Sequence, residues 1–244
     1  MGLDIDISEE AGVRYLHFGS DWIQGAMRIA RPWALELDYT REMMACLLLR
    51  PEASWPRRVL LIGLGAGSLT KFLHRHRPAA RLTVVEIEPQ VVAAARYHFR
   101  LPEEDAQLRI EIGDGADHVM KPGPAYDLIL VDGFDADAKT GALDTLPFYL
   151  NAKARLSDRG LLVANLLSRR KDFRTSVARI KEAFAGRAVA LPSCASGNAI
   201  AFAAVGAPLA ATPADLKARA LALRKETGLN LLPTLAGLPS GLAL

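Results

Sequence analysis

The chain has 244 residues, 50% of them hydrophobic, and its 30 basic and 27 acidic side chains leave a net charge of +3. That much apolar chain can bury a sizeable core and fits one large α/β domain or a domain with a small appendage, which excludes extensive disorder. The charge balance leaves no electrostatic footprint for nucleic acid, and no apolar run reaches the ~18 residues of a membrane span.

The start, MGLDIDISEE, is acidic where a signal peptide is basic and apolar, and Cys46 and Cys194 form neither a C-x-x-C pair nor a disulfide framework. Both features predict a cytoplasmic protein. In chain order, Val13–Phe18 alternates as a strand, Gly19–Asp21 reads as a turn and Gln24–Arg31 as a second strand, so residues 1–38 are expected to form a short β-hairpin appendage. From Tyr39 to Arg50, Met43, Met44, Leu47 and Leu48 recur at helical spacing, and Pro51 and Pro56 then break the chain. The expected core domain runs over 39–210, with a peripheral helix (Pro213–Thr227) and a loosely ordered tail in 211–244.

The stretch Arg57–Pro89, RRVLLIGLGAGSLTKFLHRHRPAARLTVVEIEP, organises that domain. An apolar strand opens into Gly63-Leu-Gly65-Ala-Gly67, a helix follows, and a second β-branched strand ends in Glu86. Glycines permit a tight turn and close backbone approach to a ligand, the helix start offers free N–H groups, and an acid about 20 residues on can take ribose hydroxyls. The pattern predicts a nucleoside site; its alternative is a merely close-packed βα turn. Next come a helix over Pro89–Phe99, strands over Leu108–Ile112 and Tyr126–Asp132, a helix over Phe148–Leu156, a strand over Gly160–Leu167 and a helix over Asp172–Phe184. Strands over Ala188–Pro192 and Ala199–Val205 close the domain. With no helix between them these last two must pair antiparallel, whereas the earlier crossovers predict parallel neighbours.

Glu86, Asp114 and Asp132 each end a predicted parallel strand, and open α/β sheets bind ligands outside those ends. The crevice would set Gly63, Gly65 and Gly67 under the ligand, Glu86 at the ribose, Asp114 with Gly115 near a base edge and Asp132 at the reactive end. A strand-end Asp also serves as a turn former or helix N-cap. Trp22 and Trp33 either pave a pocket or pack the appendage. His74 and His76, in RHRP at a helix end, are read as capping carbonyls and complementing the helix dipole, and His17, His98 and His118 have no Cys or His partner at ligand spacing, so no metal site is predicted.

VLLIGLGAGSLTKFL, VVEIEPQVVAAARYHF, IGDGADHV, YDLILVDGFDAD and PFYLNAKARLSDRGLLVANL resemble, in order and spacing, the spermidine synthase (polyamine aminopropyltransferase) family, over about Asp21 to Val205. The resemblance implies a class I S-adenosylmethionine-dependent methyltransferase-like (Rossmann-like) seven-stranded sheet. It implies a homodimer that moves an aminopropyl group from decarboxylated S-adenosylmethionine to a polyamine such as putrescine, without a metal. By the same match Gln24, in Asp21-Trp-Ile-Gln24, falls at the cofactor and amine site, and Tyr39 and Glu42 fall on a helix that carries a tyrosine and an E-M-L-x-H sequence. Glu86 matches the ribose acid, Asp114 with Gly115 the adenine-side pair, and Asp132 the aspartate that orients or deprotonates the amine. Tyr149 falls in the Phe-Tyr after the gate loop, and Asp135-Ala-Asp137 would hold the far ammonium of a diamine. The chain departs from the family's G-G-G-D-G-G at Ala66, from its helix histidine at Cys46 and from D-S-S-D-P at Asp132-Gly-Phe-Asp135-Ala. Ala66 keeps two other readings open: a methyltransferase using ordinary S-adenosylmethionine, and a non-catalytic nucleoside-binding protein.

Overall fold

The computed structural model describes residues 3–20, 22–52, 54–135, 140–238 and 242–243. Asp21 and Asp137, both named above, lie outside them.

Three antiparallel strands, β1 (Asp6–Glu10), β2 (Val13–His17) and β3 (Ile23–Arg28), open the chain in the order β1-β2-β3. The expected hairpin is therefore one strand short. The two-residue turn between β1 and β2 has positive φ at both Ala11 (49°) and Gly12 (75°), the backbone that matches the twist of a hairpin. β1 reads DISEE and is almost wholly exposed, so no apolar alternation marked it. The sheet does not hold a core of its own: Leu16 and Met27 pack with Ala66 and Phe99 of the main domain.

The expected helix over Tyr39–Arg50 is two short helices, α1 (Asp38–Met43) and α2 (Cys46–Leu49). After α1 the Met44 and Ala45 amides bond three residues back, to Arg41 and Glu42, which tightens and ends the turn. The four residues of α2 are all buried, and Arg219 donates to the Leu48 carbonyl at 2.9 Å.

The main sheet comprises β4 (Arg58–Ile62), β5 (Arg81–Glu86), β6 (Leu108–Ile112), β7 (Tyr126–Val131), β8 (Leu156–Leu167), β9 (Ala188–Ala190) and β10 (Asn198–Ala204). Their order is β6-β5-β4-β7-β8-β10-β9. β4 through β8 pair in parallel, while β10 runs antiparallel to both β8 and β9, as the short connection requires. The central strands are continuous apolar runs because helices cover both faces. Val59, Leu61, Leu128 and Leu130 point into one core layer, Leu60, Ile62, Ile129 and Val131 into the other. Each such side chain contributes about 1.5–3 kcal/mol of burial.

The crossovers carry α3 (Ser68–His76), α4 (Pro89–Phe99), α5 (Gly115–Met120), α6 (Leu146–Ala154) and α7 (Phe173–Ala183). Only α5 lacks a counterpart among the predicted elements; Asp114 is its N-cap, accepting from the Ala116 amide at 2.6 Å. Helix α8 (Pro213–Thr227) keeps its predicted bounds, set by a capping box between Thr212 and Asp215 and by Gly228 in the left-handed C-cap. Among the described residues the tail is packed where looseness was expected. Leu229, Leu231 and Leu238 are buried in the main core, α9 (Leu232–Leu235) adds a turn, and β12 (Leu242–Ala243) pairs with β11 (Ala210–Ala211). No helix among the described residues is long and apolar enough to cross a membrane.

Candidate active site

The strand order reverses between β4 and β7, and the C-terminal ends of these two strands are tied directly. The Asp132 amide donates to the Ile62 carbonyl, and on the other side of β4 the Gly63 amide donates to the Val85 carbonyl of β5, both at 2.9 Å. Gly63 has φ +91°, and a Cβ there would stand 2.2 Å from the Asp132 carbonyl oxygen. Only glycine permits this approach. The turn then passes under β3: a Cβ on Gly25 would meet the Ala66 methyl at 2.6 Å and the Ala66 amide at 2.8 Å. Gly67 follows with φ +67° as the N-cap of α3.

A cavity of about 660 Å³ opens over this reversal. Gln24, Tyr39, Gly63, Gly65, Glu86, Asp114, Gly115, Asp132 and Asp135 all line it. Of the other expected site residues, Gly67 is not part of the lining. Glu42 lies part-buried outside the lining, with its carboxyl pushed up by burial and by Asp38, and its Oε2 lacks a hydrogen-bond partner among the described residues. Tyr149 is buried and not part of the lining, and its hydroxyl donates to Asp144 at 3.0 Å. Burial and the neighbouring Asp144 charge raise that phenol far above its ordinary range. Asp144 also accepts from Ser176 at 2.6 Å, so Tyr149 anchors the single turn Gly141–Asp144, whose Gly141, Ala142 and Leu143 line the cavity. Trp22 lines the cavity too, whereas Trp33 stacks under the Arg75 guanidinium.

Glu86 is held from two sides, its Oε2 accepting from the Leu64 amide at 2.8 Å and its Oε1 from the Glu88 amide at 3.0 Å. A carboxylate has about four acceptor sites, so lone pairs remain for ligand hydroxyls. Burial raises its proton affinity and the backbone donors work against that rise. Asp132 is arranged alike: burial raises its pKa, while hydrogen bonds from Asn165 and Tyr39 lower it. Tyr39 is raised in turn by burial and by the Asp132 charge, so it stays a neutral donor.

Glu36, Asp38, Glu86, Glu88, Asp114, Asp132 and Asp135 are all lining carboxylates, and no Lys, Arg or His stands among the described lining residues. Such a wall favours cationic ligands. Glu36 and Asp38 are partly neutralised by Arg28 and Arg41. Among the described residues no group of three or more His, Cys, Asp or Glu side chains could hold a metal ion.

Sequence reasoning missed Asn165, Asn198 and Ser196, which line the cavity beside Asp132. A polar side chain inside the apolar run LLVANLL, and another opening NAIAFAA, were the available signals.

A doubly wound sheet of this order, with an acid closing its second strand and a cavity over the reversal, defines the class I S-adenosylmethionine-dependent methyltransferase-like fold. Residues 37–202 match the spermine/spermidine synthase domain. The chain is 38% identical over 227 residues to the polyamine aminopropyltransferase of Chromobacterium violaceum, spanning 93% of this chain and 86% of that protein. A probable spermidine synthase from Corynebacterium glutamicum shares the fold with a TM-score of 0.73 and 19% identity, over 93% of this chain and 91% of that one. Human methyltransferase-like protein 13, solved with SAH, does so with a TM-score of 0.70 and 24% identity, over 79% of this chain and 93% of that one. The chain belongs to the spermine/spermidine synthase family.

Proposed function

We propose that this protein transfers the aminopropyl group of decarboxylated S-adenosylmethionine to a polyamine such as putrescine. The observation that carries the reading is the cavity wall, in which every charged lining residue among those described is a carboxylate. A diamine and a sulfonium with a free ammonium bring only positive charge to such a wall, whereas the carboxylate of ordinary S-adenosylmethionine would find no cation among the described lining residues.

In this reading the nucleoside lies over Gly63 and Gly65 with its ribose hydroxyls on the remaining lone pairs of Glu86. Asp132 faces the attacking amine. The neutral amine nitrogen forms a bond to the carbon beside the sulfonium, the carbon–sulfur bond breaks, and its electron pair returns to sulfur in methylthioadenosine. The amine proton passes to Asp132, whose Tyr39 and Asn165 partners hold it ready as an acceptor. Proximity of the two substrates within the cavity supplies much of the remaining acceleration.

Calorimetric titration with decarboxylated and ordinary S-adenosylmethionine, methylthioadenosine and putrescine tests the reading, together with turnover of Asp132→Asn. The expected results are preference for the decarboxylated form and a kcat loss of about 10²–10⁴. Preference for the carboxylated form, or unchanged turnover in Asp132→Asn, would sink it. One observation favours a second reading as a methyltransferase: Ala66, pressed against Gly25, offers no acid to an aminopropyl ammonium at the glycine turn.

A further inference from the structure

Asn165 interrupts the buried strand β8 and is only 4% exposed, a costly position for an amide unless every polar atom is used. Its Nδ2 donates to Asp132 Oδ1 at 2.8 Å, and its Oδ1 accepts from Asn198 Nδ2 at 2.9 Å. Asn198, also buried, accepts through Oδ1 from the Ser196 hydroxyl at 2.6 Å. The direction of this chain follows from its last member. An ionised carboxylate only accepts, so Asn165 must turn its NH₂ to Asp132. That leaves the Asn165 carbonyl for the Asn198 NH₂, and the Asn198 carbonyl for a hydroxyl.

We propose that Ser196 and Asn198 are positioning residues that act through Asn165, forming a one-way donor chain that orients the Asp132 carboxylate and holds it as an acceptor. Reversing either amide sets a carbonyl against an acceptor, so the chain has one low-energy arrangement. Tyr39, from α1, is the titratable side chain that hydrogen-bonds Asp132 directly. Asp135 on the same loop, Glu86 and Asp114 at the ends of β5 and β6, and Glu36, Asp38 and Glu88 line the same cavity, while Cys194 stands 3.0 Å from the Ser196 hydroxyl. Burial drives Asp132 toward protonation, and the Asn165 donor opposes it more than Tyr39 does. Loss of the chain therefore leaves a carboxyl that needs a higher pH to ionise.

The kinetic consequence rests on the aminopropyl-transfer reading, but the titration of Asp132 does not. Asn198→Leu keeps the side-chain size and removes the donor; Ser196→Ala removes the first link at an exposed position and carries the test if the first variant does not fold. In the full-length protein, the ¹³C-carboxyl titration of Asp132, assigned with Asp132→Asn, is expected to move up by about one pH unit in Asn198→Leu, a tenfold change in proton affinity, and by less in Ser196→Ala. With decarboxylated S-adenosylmethionine and putrescine, the acidic limb of kcat/KM should move up in step, with kcat falling about tenfold and the sulfonium KM staying within about threefold. An unmoved Asp132 titration overturns the proposal whatever happens to turnover, because a packing role predicts lower activity without a pH shift. A wild-type protein that turns over nothing would refute the aminopropyl reading and leave the titration to decide the donor chain.

Discussion

Replacing Gly63 with alanine strikes the point where β4, β5 and β7 are tied together. The backbone there sits at φ +91°, which costs a non-glycine residue about 1–3 kcal/mol. The new methyl would stand 2.2 Å from the Asp132 carbonyl oxygen, well inside the ~3.5 Å of an ordinary contact. Backbone cannot swing aside as a side chain does, so the ends of β4 and β7 must part by roughly 1 Å, at an overpacking cost of about 1–3 kcal/mol. The 2.9 Å bonds from Gly63 to Val85 and from Asp132 to Ile62 lengthen with that parting. The expected destabilisation is about 2–6 kcal/mol, a large share of the 5–15 kcal/mol typical of a domain. Urea unfolding measures it, and calorimetry with methylthioadenosine should find binding weakened because Asp132 and the glycine turn move apart. Gly113→Ala is the matched control, since a Cβ there meets nothing within 4 Å and the backbone is not left-handed. It should change stability by no more than about 0.5 kcal/mol. If Gly63→Ala is as stable as Gly113→Ala, the close approach of the two strands is wrong.

Lys71 on α3 is 1% exposed, donates to the Phe99 carbonyl at 2.7 Å, and has its pKa lowered to about 7 by burial and by Arg100. The unfolded chain keeps that proton up to about pH 10, so it binds more protons than the native state between about pH 7 and pH 10. Native stability should thus climb with pH across that window, by at most ~1.4 kcal/mol per unit, and Lys71→Met should flatten the climb. Parallel stability curves for the two proteins in urea titrations would count against it. Cys46 is fully buried and its thiol is pushed up to about 12 by burial, so native protein treated with iodoacetamide at pH 8 should be alkylated at the part-exposed Cys194 first. Mass spectrometry finding Cys46 modified as fast as Cys194 would contradict the packing described for α2.

Much of the frame was legible because its causes are local. β4, β5 and β7 are apolar runs flanked by turns, and helix α8 has its Thr212 cap, its first-turn proline and its terminal glycine written within one stretch of chain. The acids ending successive strands converge because parallel strands leave all their C-terminal ends on one side of the sheet, so Glu86, Asp114 and Asp132 were readable as one crevice. Asp114 caps α5 and also lines the cavity.

What tertiary structure decided involves partners far apart in sequence. β1 carries no pattern of its own and exists through its pairing with β2. The break between α1 and α2 leaves every residue of α2 buried in the main core, a demand no helical periodicity encodes. Tyr149 is buried outside the cavity lining because Asp144 of the Gly141–Asp144 turn takes its hydroxyl, and Ser176 and Arg179 of α7 hold that same carboxylate. The seat of Ala66 against Gly25 and the link of Asn165 to Asn198 span 41 and 33 residues, and these contacts decide the shape and the acidity of the site. Local propensity sets which segments are strands and helices, since its energies act within a few residues; the chemistry of the cavity depends on side chains that meet only after the sheet has closed.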